Sequence, residues 1–213
     1  MRTARSPRLV ALVGGSGAGK SWLADRLQRA LGSDAGRLSL DDFYYDRSHL
    51  PPKRRANVNF DHPRAIDWRS VERALEDCRS GRTIRLPRYE FVSHSRGPKP
   101  ELWRPKPLIL MEGLWLLRRP AVRRLFDLRI FVESPARLRF RRRLARDVAE
   151  RGRSPAAVRR QFFQTVAPMH VRFVAPQARW ADIRLRRPPD ENEVRQLAAR
   201  LRALLANYCH VHG

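Results

Sequence analysis

Gly14-Gly15-Ser16-Gly17-Ala18-Gly19-Lys20-Ser21 follows a short apolar run, Arg8 to Val13 (RLVALV), and leads into an amphipathic stretch from Lys20 to Leu31 that stops at Gly32. Those patterns predict strand, loop and helix in succession. In that setting the octapeptide satisfies G-x-x-x-x-G-K-[ST], the loop that cradles phosphates between a strand and a helix. Its glycines let backbone N–H groups curl around an anion, and the helix start adds positive potential. Lys20 can reach the β and γ oxygens, and the Ser21 hydroxyl can ligate Mg²⁺. Gly14, Gly15, Ser16, Gly17, Ala18, Gly19, Lys20 and Ser21 are therefore the candidate triphosphate-binding residues. A chance glycine-rich turn is the competing account, and it leaves the flanking strand and helix patterns unexplained.

Outward from this loop the chain alternates strand and helix patterns. Arg37 to Leu40 reads as a second strand with Asp41 and Asp42 at its end, which places carboxylates at the carboxyl edge of a sheet, where α/β proteins bind ligands. Phe43 to Asn59 has no period and is expected to be irregular, followed by a helix from about Arg64 to Cys78. Gly81 to Phe91 and Glu101 to Trp103 are expected to pair around the Ser-His-Ser-Arg-Gly-Pro turn. Pro107 to Met111 (PLILM) is a continuous apolar run ending in Glu112 and Gly113, the pattern of a buried central strand. Leu128 to Val132 and Ala181 to Leu185 complete the strands. Pro135 to Arg151, Pro155 to Phe173 and Glu191 to Ala206 read as helices. The expected fold is α/β, a mostly parallel sheet covered on both faces, of the P-loop NTPase type, with a small β-hairpin insertion.

At 213 residues the chain suits one domain. It has no long apolar span and no signal-peptide pattern at Met1 to Arg8, so a soluble cytoplasmic protein is expected. Cys78 and Cys209 lack the spacing of a disulfide scaffold or zinc site. The net charge of +24 is almost entirely arginine, since Lys20, Lys53, Lys99 and Lys106 are the only lysines. Such a surface attracts phosphates. The arginines are nonetheless spread along the chain without a recognition motif, so nucleic acid is not the expected partner, and genomic composition bias accounts for their number equally well.

The phosphate loop establishes nucleoside triphosphate binding and leaves the acceptor open. No N-K-x-D for reading guanine occurs, and the chain is short for a remodelling ATPase, which leaves small-molecule kinase as the leading class. Further motifs narrow the class: Leu40-Asp41-Asp42-Phe43-Tyr44-Tyr45, Asn59-Phe60-Asp61-His62-Pro63, Leu86 to Arg96 (LPRYEFVSHSR), Glu112-Gly113, Arg146 to Arg153 (RDVAERGR), and Gln161 through Val166-Ala167-Pro168-Met169 to Ala181-Asp182-Ile183. In order and spacing, from about residue 8 to residue 190, they resemble the uridine kinase (uridine-cytidine kinase) family, within the wider group of phosphoribulokinase and pantothenate kinase.

The resemblance implies roles for single residues. Asp41 matches the catalytic base, which agrees with its place at a strand end, where a carboxylate can orient the attacking 5′-hydroxyl. Glu112 matches the acidic magnesium partner of Ser21, with Asp41 near the same ion; a solvated or capping carboxylate is its plain alternative. Asp61 matches the residue that accepts from the vicinal ribose hydroxyls, which disfavours deoxy sugars. Tyr44, Tyr89, Phe91 and His94 match a base pocket, although packing alone accounts for such aromatics. Arg146 and Arg151, as catalytic lid residues, and Arg143, Arg153 and Gln161, on the sugar side, match groups that close over the substrates. Asp190 matches a position near the ATP, and Pro188-Pro189-Asp190 is equally a plain helix start. The implied nucleoside-binding hairpin spans about residues 81–106 and the implied arginine-rich lid about 143–161, where the residues read alone give a solvated basic helix from Arg137 to Arg153.

Several positions depart from the family pattern. Trp22 stands where a small polar residue is usual, Asp42 adds a second carboxylate beside Asp41, Glu90 replaces an aspartate, and Arg64 stands where an acid often follows His-Pro. Gln177 and Trp180 also differ. The expected activity is ATP-dependent phosphorylation of uridine or cytidine at the 5′-hydroxyl with Mg²⁺, by a homotetramer, with GTP as a conceivable donor. A related kinase acting on another hydroxylated metabolite and a nucleotide-dependent RNA-binding protein are the alternative readings.

Overall fold

The computed structural model describes residues 6–56 and 58–206. Cys209 and Met1 to Arg5 lie outside the described residues. The run RLVALVG forms β1 (Arg8–Gly14), buried on both sides from Leu9 onward, because parallel strands flank it. β2 (Ala35–Ser39), β7 (Leu108–Gly113), β8 (Leu128–Val132) and β9 (Ile183–Leu185) join it in a five-stranded sheet of order β2-β7-β1-β8-β9, with every pairing parallel. The chain leaves β1 toward β2 on one side and later fills β8 on the other. That reversal of strand order opens a crevice at the carboxyl end of β1, where ligands of such sheets bind. Register sets Glu112 of β7 beside Ser39 of β2 and Leu12 of β1, just below the glycine loop.

Alternation along β1 divides the core. Val10 and Leu12 pack with Leu23 and Leu27 of α1 (Lys20–Leu31) on one face of the sheet. Leu9, Ala11 and Val13 pack on the other face with Trp115 and with Val71 and Leu75 of α3 (Trp68–Arg79). Two small antiparallel ribbons, β3 (Ile84–Leu86) with β6 (Glu101–Trp103) and β4 (Tyr89–Glu90) with β5 (Ser95–Arg96), form the insertion. Short helices α2 (Pro52–Ala56) and α4 (Pro120–Arg123), the long α5 (Ala136–Arg151) and α6 (Pro155–Gln161) complete the middle of the chain. α8 (Glu191–Ala206) packs against α1 through Val194, Leu197, Ala198 and Leu201. Among the described residues no helix is long and apolar enough to cross a membrane.

Four boundaries differ from expectation, each for a local reason. The second strand ends at Ser39, whose hydroxyl accepts from the Asp41 N–H and turns Leu40–Phe43 into a 3₁₀ helix. The helix expected from Arg64 starts at Trp68, after a 3₁₀ turn at Pro63–Ala65, because the Asp67 carboxylate accepts from the Ser70 N–H and caps α3. The insertion turns at Phe91 to His94, so Ser95 and Arg96, expected in the turn, form a strand; His94 takes a positive φ of 52°. The stretch Pro155 to Phe173 is helical throughout but not uniformly α: π-helical turns at Phe162–Val166 and His170–Val174 flank the short α7 (Ala167–Met169), which contains Pro168. Proline lacks the N–H that a regular α turn requires. Among the described residues of the irregular segment, α2 is the one α-helix.

Asp67 also approaches Arg96 of β5 at 3.6 Å, so one carboxylate caps α3 and ties it to the insertion. Asp67→Ala is expected to lower folding stability by about 1–2 kcal/mol, the usual cost of losing a cap. Urea denaturation of the two proteins checks this; an unchanged midpoint at unchanged slope would refute the capping role.

Candidate active site

The glycine loop takes its shape from contacts that leave no room for a side chain. A Cβ on Gly14 would lie 2.5 Å from the Val132 carbonyl oxygen, and one on Gly17, at φ 76°, would lie 2.4 Å from the Arg139 carbonyl oxygen. Gly19 adopts φ 102° immediately before α1. Lys20 Nζ donates to the Gly15 carbonyl at 3.0 Å. Burial pushes the lysine pKa down, while Glu112 and Asp41 pull it back up. Ser21 Oγ donates to Glu112 Oε2 at 2.5 Å, and Arg37 pairs with the other oxygen of that carboxylate. Arg37 was not anticipated; no spacing rule connects it to Glu112 until β2 and β7 pair.

A cavity of about 250 Å³ opens in front of this loop. Asp41 lines it and Asp42 does not, which separates the two neighbouring carboxylates geometrically. Asp42 instead lies 3.8 Å from Arg88, its pKa pushed up to about 6 by burial against the opposing pull of Arg88 and the Tyr89 N–H. Burial also raises the Asp41 pKa, with Lys20 acting against it and Glu112 adding to it.

The other end of the cavity is aromatic. Tyr44, Tyr89, Phe91 and His94 all line it, together with Phe60 and Asp61. Phe60 and His94 lie face to face, centroids 4.6 Å apart at 8°. Tyr44 donates its hydroxyl to the Phe60 carbonyl at 2.8 Å, and Tyr89 packs against Tyr44 at 5.0 Å and Phe91 at 5.5 Å. Phe60 was missed as a site residue although it sits inside the quoted Asn59 to Pro63 motif. Among the described residues His94 Nδ1 is buried with no hydrogen-bond partner, and burial followed by Arg153, Arg151 and Arg55 lowers the imidazole pKa. At ordinary pH the ring is neutral and one nitrogen can accept or donate according to tautomer.

Asp147 organises the arginines. Its carboxylate is fully buried and lies within ion-pair distance of Arg143 (3.3 Å), Arg146 (2.7 Å), Arg151 (3.5 Å) and Arg153 (3.8 Å). Burial works to raise its pKa, but Arg146, Arg143 and Arg151 together hold it below the usual carboxylate value. Arg143 extends the network to Ser16 Oγ (2.9 Å), Asp61 Oδ1 (3.4 Å) and Gln161 Oε1 (2.9 Å), and Arg153 also donates to Gln161 (2.7 Å). Arg151 sits 3.8 Å from the Phe91 ring centroid. The RDVAERGR motif contains Asp147, yet its partnership with all four arginines follows only from α5 and the turn at Gly152, φ 62°. Asp190 is not brought to this cavity. It caps α8, exchanging hydrogen bonds with Glu193 at 2.9 Å each way, and pairs with Arg187. Trp22 and Arg142 line the cavity near the loop.

The donor set suits a hard cation. Ser21 Oγ and Glu112 Oε2 are adjacent oxygen donors on the cavity wall, with Asp41 on the same wall. Among the described residues no group of three or more His, Cys, Asp or Glu gathers to hold a metal unaided. Such a set fits Mg²⁺ completed by phosphate and water oxygens.

Comparison with known proteins agrees with the geometry. The description "Phosphoribulokinase / Uridine kinase family" matches residues 9–194. The chain is 40% identical over 178 residues to a protein named uridine kinase from Chloroflexus aurantiacus, covering 83% of this chain and 85% of that one. It is 38% identical to one from Brevibacillus brevis, covering 84% of each. Phosphoribulokinase from Rhodobacter spheroides shares the fold, with a TM-score of 0.62 at 20% identity over 85% of this chain and 70% of that one. A glycine loop on the central strand of a parallel sheet, facing an aromatic pocket across one cavity, together with these matches, places the chain in the phosphoribulokinase/uridine kinase family.

Proposed function

We propose that this protein is a nucleoside kinase that transfers the γ-phosphoryl group of ATP to the 5′-hydroxyl of uridine or cytidine. The observation that carries the reading is a single cavity with a phosphate-binding loop at one end, an aromatic pocket with Asp61 at the other, and Asp41 in the electrostatic reach of both: Lys20 and Glu112 perturb Asp41, and Asp41 in turn perturbs Tyr44 and Tyr89. The curated relatives named uridine kinase, at 36–40% identity over most of the chain, favour the same substrate.

Each residue then has a task. Loop amides and Lys20 hold the triphosphate in line with the acceptor. Asp41 accepts a hydrogen bond from the 5′-hydroxyl and takes its proton as the new P–O bond forms and the bond to ADP breaks. Arg146 and Arg151 balance charge on the moving phosphoryl group. Asp61 accepts from the two ribose hydroxyls, steadied by Arg143; the rings of Tyr44, Phe60, Tyr89 and Phe91 enclose the base, and His94 meets the edge of either uracil or cytosine. Mg²⁺, held by Ser21 and Glu112, would supply charge neutralisation at the β and γ phosphates. Asp147 keeps the arginines spaced until phosphates share their charge, and Gly152 lets residues 143–161 act as a lid. The family resemblance further implies a cytoplasmic homotetramer.

The competing readings lack comparable support. A different hydroxylated acceptor would make little use of four aromatic rings and an imidazole around one carboxylate. RNA as principal ligand finds no support among the relatives, which are named uridine kinase.

Three outcomes test the proposal. Asp41→Asn should lower kcat by about 10²- to 10⁴-fold, with little change in nucleoside KM, in an assay against a nucleoside panel; wild-type turnover by the variant, or no turnover of any pyrimidine ribonucleoside by the wild type, would defeat it. Because the Asp41 pKa is raised and the ionised form is the base, kcat should fall on acidification through a value above the ordinary carboxylate pKa of about 4, and a pH–rate profile should show that limb vanish in Asp41→Asn. Asp147→Asn leaves four arginines without their carboxylate and should cost about 3–5 kcal/mol of stability. Thermal melts should show ATP raising Tm by more in this variant than in the wild type, since phosphate replaces the lost charge.

A further inference from the structure

Many arginines of this chain meet an acid even at the surface: Arg82 with Asp77, Arg88 with Glu101, Arg129 with Asp182, Arg187 with Asp190 and Glu193. A cleft of about 290 Å³ departs from that habit. It adjoins the active-site cavity through the Asp61–Pro63 turn, Asp61 lining the cavity while His62 and Pro63 line the cleft. Its walls carry Arg64, Arg118, Arg119 and Arg172, drawn from three separate segments, and among the described residues no aspartate or glutamate. Arg64 is the residue that departs from the acid expected after His-Pro.

Three of the four guanidinium groups lie against rings. Arg118 lies 4.6 Å and Arg172 5.1 Å from the centroid of Phe173, and Arg119 lies 5.5 Å from Trp68. His62 meets Phe173 edge-on at 4.9 Å. Both rings are buried, so they orient the cations without offering a stacking face to a base. The positive field registers on His62, whose pKa is lowered by burial and then by Arg64, Arg172 and Arg118.

Four like charges around one concave surface repel, and an anion between them removes that cost. Guanidinium forks match phosphate oxygens bidentately, and cations already set in place lose less freedom on binding. The cleft lacks the exposed aromatic platform that successive nucleotides of a single strand require. We infer that it is a second anion site, separate from the glycine loop, which takes the polyphosphate tail of a small molecule such as a nucleoside triphosphate.

Calorimetric titration of the full chain with tripolyphosphate tests this. Wild type should bind two molecules per chain, and Lys20→Ala should retain one. Adding Arg64→Gln, Arg118→Gln and Arg172→Gln to Lys20→Ala should weaken the remaining binding by about a hundredfold or more, each guanidinium contributing roughly one charge-assisted hydrogen bond. The same three changes in a wild-type background should preserve nucleoside turnover, which certifies the fold. Should the triple variant fail to fold, Arg118→Gln alone should weaken binding about tenfold. The inference is overturned if Lys20→Ala binds no tripolyphosphate, if its remaining binding is indifferent to the arginine changes, or if the cleft binds single-stranded RNA and not tripolyphosphate.

Discussion

Opposite charges gathered at the carboxyl edge of the sheet set the terms for the rest of the molecule. Half-buried Lys20 offsets the charges of Glu112 and Asp41, and each acid in turn favours the charged lysine. Ser21 and Arg37 take up the two oxygens of Glu112, and Lys20 spends a hydrogen bond on the Gly15 carbonyl. A loop able to bring these groups together must pass close to neighbouring backbone. Gly14 therefore touches the Val132 carbonyl and Gly17 the Arg139 carbonyl, which fastens the beginning of α5 to the loop.

That attachment gives the arginine-rich helix its function. Running away from the glycine loop, α5 brings Arg143, Arg146 and Arg151 to the cavity and buries Asp147 among them. One carboxylate against four guanidiniums leaves a net positive surface for phosphate while restraining the repulsion that would splay an empty lid. The same residue type has three settings here: surface pairs with acids, the Asp147 network, and the ring-backed cleft beside His62. Composition alone cannot separate them, because what differs is the partner.

Much of this was legible from residue order. The apolar runs of β1 and β7, the glycine octapeptide, and the motifs around Asp41, Asp61 and His94 carried strand, loop and pocket, because phosphate binding and buried parallel strands impose strong local patterns. Boundaries governed by side-chain caps were less legible. Ser39 and Asp67 each redirect the backbone by a single hydrogen bond, and Pro168 widens a helix that its apolar spacing otherwise describes well. Asp190 shows the reverse case, a residue matched to a ligand position that the structure places in a helix cap.

The amino-acid order by itself determined that this chain builds a parallel α/β sheet with a triphosphate loop on its central strand, and that acidic, aromatic and arginine motifs follow in the spacing of a kinase family. Tertiary structure alone decided that Asp41 and not Asp42 faces the cavity, that Phe60 lies against His94, that Arg37 holds Glu112, and that Asp147 gathers four arginines. The physical reason is range. Backbone preferences and apolar periodicity act over a few residues and are written locally, whereas the environment of a charge or a ring depends on groups from distant segments that meet only after the sheet has ordered its strands.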